Sequence, residues 1–239
     1  MLETTILLLA IIHSVFGIGL LAIGTPLLLI LNYDFLVVLK ILLPCSILIS
    51  IFQIIKAKNI LIEDKSLIYR SLPYVLLGAF IIYTFSSKIN FKLIIGFSIL
   101  IFFFLKFFLR KKVKLIIEEK KKILLSAAGF FHGLTNTGGS LISLIFQDLK
   151  KNKYEVQACI AYTYFFYALI QYIVLNFFFK KILLDYSIFK LLLFTCIGYF
   201  FGNIIFKKIK FSNFLNILNF IVFLSSIYLI FSESIKYLN

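Results

Sequence analysis

Eight times along this chain a long, mostly apolar run gives way to a short polar break, and that repetition settles the class of fold. The runs cover roughly 4–31, 35–56, 66–86, 89–109, 123–147, 156–179, 183–206 and 213–232. A bilayer core needs about 20 apolar residues of helix to cross it. No polar stretch between the runs is long enough to fold as a soluble unit. Mean hydropathy is +1.06 and only 15% of the 239 residues are charged, against about 25% in an ordinary soluble domain. A soluble domain of this size still exposes much of its surface and cannot hide so apolar a chain. The expected fold is an all-α integral membrane protein, a single membrane domain over residues 1–239.

Charge gives the sidedness. Lys and Arg number 25 against 10 Asp and Glu, a net charge of +15. In a soluble domain that excess would suggest nucleic acid. Here the basic residues sit between apolar runs, so they are read as anchors to the anionic headgroups of the lipid bilayer, and no nucleic-acid partner is expected. The stretch Arg110–Lys122 holds seven basic residues beside Glu118 and Glu119 and is the strongest cytoplasmic marker. The start, Met-Leu-Glu, has neither the basic region nor the small-residue cleavage site of a signal peptide. Cys45, Cys159 and Cys196 all lie inside apolar runs, with no disulfide framework or paired metal-thiolate spacing.

Runs one and five are the long ones, and both are interrupted. The first contains Gly17-Ile18-Gly19 and Gly24-Thr25-Pro26; the fifth contains Gly133-Leu134-Thr135-Asn136-Thr137-Gly138-Gly139-Ser140. Such stretches lower helix propensity and free backbone amides. Within a membrane, broken backbone survives only where protein or a water-filled cavity satisfies it. Two arrangements follow: either all eight runs cross, or runs one and five dip in and return as hairpins. The second leaves three crossings per half, inverts the halves relative to each other, and is slightly preferred by the positive-inside count.

The two interruptions are related by position. An offset of 119 lays His13 on His132, Gly17 on Asn136 and Gly19 on Gly138. One further residue of offset brings Gly78 onto Gly198, and Lys88-Ile89-Asn90-Phe91 onto Lys208-Ile209-Lys210-Phe211. The chain's only two histidines thus stand at equivalent places, each just ahead of a break. We expect an internal duplication: a first repeat over 1–109, a basic cytoplasmic linker over 110–122, and a second repeat over 123–239, each of four segments. Related halves that each open with a broken helix suit secondary transporters, whose sites lie near mid-membrane where such helices meet.

These motifs resemble a known family. Gly17-Ile18-Gly19 with Leu27-Leu28-Leu29 after Pro26, and Asn136-Thr137-Gly138-Gly139-Ser140, look like the twin glycine-rich motifs of the sulfite exporter TauE/SafE family. The resemblance extends over the whole chain and implies a multi-pass bacterial inner-membrane transporter for sulfite, sulfoacetate or related sulfur or organic anions. The sequence departs from the pattern at Leu20 and Leu21 in the first motif, and at Ile145, which stands where the first repeat has Pro26.

The chemistry expected of the breaks follows from their residues. Unpaired N–H groups at the positive end of a helix dipole attract an anion. Glycine lets the amides come close, and hydroxyls add donors without charge. The candidate substrate-binding residues are therefore Gly17, Gly19, Gly24, Thr25, Thr135, Asn136, Thr137, Gly138, Gly139 and Ser140; the alternative is that small residues only let helices pack closely. His13 and His132 are candidates for proton coupling, or else neutral groups that hold the broken backbone. Lys40 either attracts the anion or snorkels beside Asp34. Gln53, Gln147, Gln157, Gln171 and Asn176 line a path or bond across helices; Pro44 and Pro73 are placed to kink their helices; Tyr162, Tyr164, Tyr167 and Tyr172 are read as packing residues.

A secondary transporter of a small anion is the leading expectation, with no enzymatic activity, no cofactor and no metal. No GxxxxGK[ST] loop is present, so ATP would have to come from a partner, and no polar loop is large enough to dock an ATPase subunit. The competing readings are a metal- or haem-binding redox subunit using the two histidines, and a passive anion channel. Oligomeric state is left open.

Overall fold

A computed structural model describes residues 2–58, 60, 65–85, 110–136, 138–150, 152–178 and 186–210, with isolated residues between 94 and 104 and between 212 and 227. Runs four and eight, over 89–109 and 213–232, therefore lie largely outside the described residues, as does Thr137. Among the described residues every regular element is helical. Lipid offers no partner to backbone N–H and C=O groups, so each apolar run must satisfy them internally.

The helices in chain order are α1 (Leu2–Phe16), α2 (Gly19–Ala22), α3 (Gly24–Ile30), α4 (Phe35–Lys56), α5 (Lys65–Phe85), α6 (Arg110–Thr135), α7 (Gly138–Leu149), α8 (Lys153–Phe178) and α9 (Tyr186–Lys208). Among the described residues four stretches are long and apolar enough to cross a membrane: Phe35–Lys56, Lys65–Ile82, Lys153–Phe177 and Ile188–Lys208. Runs one and five are broken, as expected, between Phe16 and Gly19 and between Thr135 and Gly138. Pro44 and Pro73 fall inside α4 and α5. The basic stretch 110–122 does not separate helices but forms the first half of α6; Lys, Arg and Glu are good helix formers. Large apolar side chains such as Leu76, Phe80, Phe177, Phe200 and Ile204 face outward, as a lipid-facing surface requires.

Glycines report the helix directions, because they mark where backbones touch. Gly198 of α9 lies against Leu7 and Ala10 of α1, and Gly202 against Ile11 and Ser14, so α1 and α9 run parallel. The Glu3–Lys190 ion pair at 2.8 Å joins their first turns, and its hydrogen bond holds the Glu3 carboxyl down at about 2. Gly129 and Gly133 of α6 lie against Ser71 and Val75 of α5, so this pair is parallel too. Helix α4 runs with α9: the Tyr199 hydroxyl donates to Phe52 O at 3.4 Å, and Lys56 donates to Asn203 Oδ1. Helix α8 opposes α9, since Lys153 in its first turn donates to Phe206 O and Ile209 O, both at 2.6 Å.

Consequently α1, α4 and α9 run one way and α5, α6 and α8 the other. One end of the bundle gathers Lys56, Lys153 and Lys207, with the first two packed 4.9 and 5.0 Å over the Phe206 ring. The ends of α4 and α9 and the start of α8 meet there. Glu3 and Lys190 lie at the other end of α9, about 30 Å away for a helix of this length.

Candidate functional site

Helix α1 ends where Gly17 takes a left-handed φ of 79°, a conformation that costs a residue without Cβ little. Its N–H still reaches His13 O at 2.7 Å. The chain then doubles back along α1, with Gly19 against the His13 backbone and Gly24 against the Leu9 side chain. Leu20 N–H donates to His13 Nδ1 at 3.1 Å. The carbonyls freed by the break are taken by glutamines from two other helices. Gln53 Nε2 donates to His13 O and Ser14 O, both at 3.2 Å. Gln157 Nε2 donates to Ser14 O at 2.8 Å and Val15 O at 3.2 Å.

The second break is built the same way. Asn136 takes φ 63°, a conformation that asparagine tolerates better than most residues. Its N–H donates to His132 O at 2.9 Å. Gly138 then turns back against Ala128 and His132. Gln171 Nε2 donates to His132 O at 2.8 Å and to Gly133 O at 3.1 Å. Glycine at one corner and asparagine at the other thus make one kind of turn, each after a histidine whose carbonyl a glutamine caps. Capping answers the helix-end problem: the last carbonyls of a helix lack a full set of partners in their own helix, and buried glutamine amides supply donors here.

Because α1 and α6 enter from opposite ends, their tips meet inside the bundle. Asn136 Nδ2 donates to Thr25 Oγ1 at 3.2 Å, with both residues buried. Tyr164 of α8 stands between the two histidines, edge-on to each, with ring centroids 5.8 Å from His13 and 5.1 Å from His132. Its hydroxyl occupies the space that a Cβ on Gly139 would need. All four of His13, His132, Asn136 and Tyr164 are fully buried. Even so, His13 Nε2, both nitrogens of His132, Asn136 Oδ1 and the Tyr164 hydroxyl have no hydrogen-bond partner among the described residues. Such orphans cost free energy in a packed interior and mark a place built for something else. Among the described residues no charged side chain acts on either imidazole or on Tyr164.

The expected site residues fare unevenly. Thr25, Asn136, His13, His132 and Gly139 come together at the seam between the tips. Gly17, Gly19, Gly24 and Gly138 shape the turns and the close packing around it. The Thr135 hydroxyl donates to Phe131 O of its own helix at 2.8 Å, so that donor is turned away from the seam. Ser140 begins in α7, but its side chain lies outside the described residues. Lys40 is half-buried on α4, and no ion pair joins it to Asp34. It stands 13 residues before Gln53, about 20 Å along the helix. Tyr164, expected as a packing or interface-anchor residue, stands between the two histidines with its hydroxyl unpartnered among the described residues. The available signal was its position two turns before Gln171, on the same helical face. A small apolar cleft reaches Gly133 and Gln171 from between α4, α5 and α8, with Leu36, Leu39, Ala79 and Ile82 on its walls.

A family model described as Sulfite exporter TauE/SafE matches residues 4–229, a span that holds both hairpins and every residue of the seam. This chain belongs to the sulfite exporter TauE/SafE family. It is a membrane protein of a transporter family, not of an enzyme family, and the TauE/SafE match gives the seam between the hairpins its context. No curated protein and no solved structure matches the chain.

Proposed function

We propose that this protein is a secondary transporter that carries a small anion across the bacterial inner membrane, holding it where the two hairpin tips meet. The substrate is sulfite, sulfoacetate or a related sulfur oxyanion or organic anion, and transport is driven by an ion gradient. The observation that carries this reading is the buried Asn136–Thr25 hydrogen bond, at 3.2 Å, between tips that enter from opposite ends of the bundle. Around it lie unpaired donors, His13 Nε2 and the Tyr164 hydroxyl, as an oxyanion needs.

The two halves are read as duplicates inserted in opposite senses. Supporting this, the same glutamine-to-carbonyl cap recurs with Gln53 on His13 and Gln171 on His132, and α1 pairs with α9 as α6 pairs with α5. The end carrying Lys56, Lys153, Lys207 and the 110–122 stretch is cytoplasmic, against anionic headgroups.

Counterflow in proteoliposomes with sulfite, thiosulfate, sulfoacetate, sulfate and small carboxylates tests the proposal. Saturable, gradient-driven uptake of a sulfur oxyanion is expected, with Asn136→Ala lowering it about tenfold, the effect of losing about 1.4 kcal/mol of interaction. Flux that never saturates would mean a channel. A flat response across the panel would remove the anion reading.

A further inference from the structure

The unpaired groups at the seam are neutral, and they are mixed in kind. Because His13 Nδ1 accepts the Leu20 N–H at 3.1 Å, its ring is held in the tautomer that carries its proton on Nε2. That nitrogen has no partner and presents a donor. The Tyr164 hydroxyl is a second unpaired donor. Asn136 Oδ1 is an unpaired acceptor, because the same side chain gives its N–H to Thr25. Neutral His132, with neither nitrogen partnered, offers one donor and one acceptor. Among the described residues, the titratable groups facing the seam are His13 from α1, His132 from α6, and Tyr164 and Tyr167 from α8, the last tied to the Ser71 hydroxyl at 2.6 Å. Helices α2 and α3 contain no titratable side chain, and the Gln53 stripe of α4 adds only Ser46 and Ser50.

We infer that the seam selects a singly charged oxyanion that still carries one acidic proton, a hydrogen-oxyanion, over the fully ionised dianion; this rests on the anion-transport reading above. A dianion brings only acceptors, so its lone pairs would face those of Asn136 Oδ1 and of one His132 nitrogen. A hydrogen-oxyanion accepts from His13 Nε2 and Tyr164 while its own O–H donates to Asn136 Oδ1 or His132. Charge points the same way. The penalty for burying an ion grows as the square of its charge, and among the described residues no cation at the seam offsets it. A neutral mixed cage therefore favours the ligand that has already neutralised half of its charge with a proton.

The test is counterflow by the intact protein in proteoliposomes, as pH is stepped across the second ionisation of sulfurous acid, with sulfite, sulfate and methanesulfonate as probes. Sulfate is a dianion throughout the range, and methanesulfonate a monoanion without an acidic proton. Sulfite counterflow is expected to fall about tenfold per pH unit above that ionisation, tracking hydrogensulfite. Methanesulfonate should be carried more weakly with no such fall, and sulfate excluded at every pH. Sulfite counterflow that holds or rises with pH would overturn the inference and leave the transport reading intact. So would sulfate that becomes a substrate on acidification, since the protein would then be supplying the proton, or methanesulfonate falling in step with sulfite. Absence of counterflow with every anion tried would overturn both.

Discussion

The side-chain amide of Asn136 meets the hydroxyl of Thr25 at 3.2 Å, joining two turns 111 positions apart in the chain. If that bond holds the tips together, the two positions are energetically coupled. Asn136→Ala and Thr25→Val should each lower thermal stability in detergent, and the double variant should lose less than the sum. A coupling of about 0.6 kcal/mol is expected, typical of side-chain hydrogen bonds between membrane helices. Strict additivity would mean that the two tips do not depend on each other.

Gly139 offers a sharper test, because its missing Cβ is the room that the Tyr164 hydroxyl occupies. Gly139→Ala should cost about 1–3 kcal/mol through overpacking and abolish transport. Removing the hydroxyl with Tyr164→Phe should return part of the stability to the double variant. Failure of that rescue would show that the alanine acts on something other than Tyr164.

Gln53 and Gln171 are expected to act as caps, not as substrate ligands. Gln171→Ala removes the glutamine donor from Gly133 O, at about 1–3 kcal/mol for the orphaned group, while the Asn136 N–H still reaches His132 O. Gln53→Ala should cost less, since the Gly17 N–H still reaches His13 O and Gln157 still reaches Ser14 O. Melting of the purified variants should show the larger loss for Gln171→Ala, and substrate affinity in whatever protein remains folded should be little changed. A variant with unaltered melting but weakened substrate binding would place that glutamine on the substrate instead.

Helix directions lead to a labelling pattern. In a background without Cys45, Cys159 and Cys196, single cysteines at Lys58 and Asn152 should react from the same side of the membrane, since Lys56 and Lys153 both pack on Phe206. Cysteines at Glu3 or Lys190 should react from the opposite side. Labelling of Asn152 from the side opposite to Lys58 would refute the hairpin arrangement.

The breaks were legible before any coordinates, because glycine and polar residues within a long apolar run conflict with helix and lipid alike. The two histidines could be paired for the same reason: they are the only ones, and each precedes a break. Tyr164 was not legible as a site residue. Tyrosine serves equally as filler or as donor in a membrane helix, and only the edge-on approach of both imidazoles tells which. Gln53 and Gln171 were visible as polar residues in apolar surroundings, yet a cap is defined by the carbonyls of another helix, which spacing along one helix cannot reveal. The basic stretch before Ile123 was legible as a charged boundary between the repeats but not as the opening of α6, because charge marks the membrane boundary but does not stop a helix.

The glutamine caps are not shared equally. The carbonyls at the first tip are gripped by amides from two helices, Gln53 on α4 and Gln157 on α8, whereas among the described residues those at the second are gripped by Gln171 of α8. Two anchors on separate helices hold a tip to both; one anchor ties it to a single helix. Helix α8 is therefore the element common to both tips, with the apolar cleft at Gly133 and Gln171 beside the tip that it holds by one glutamine.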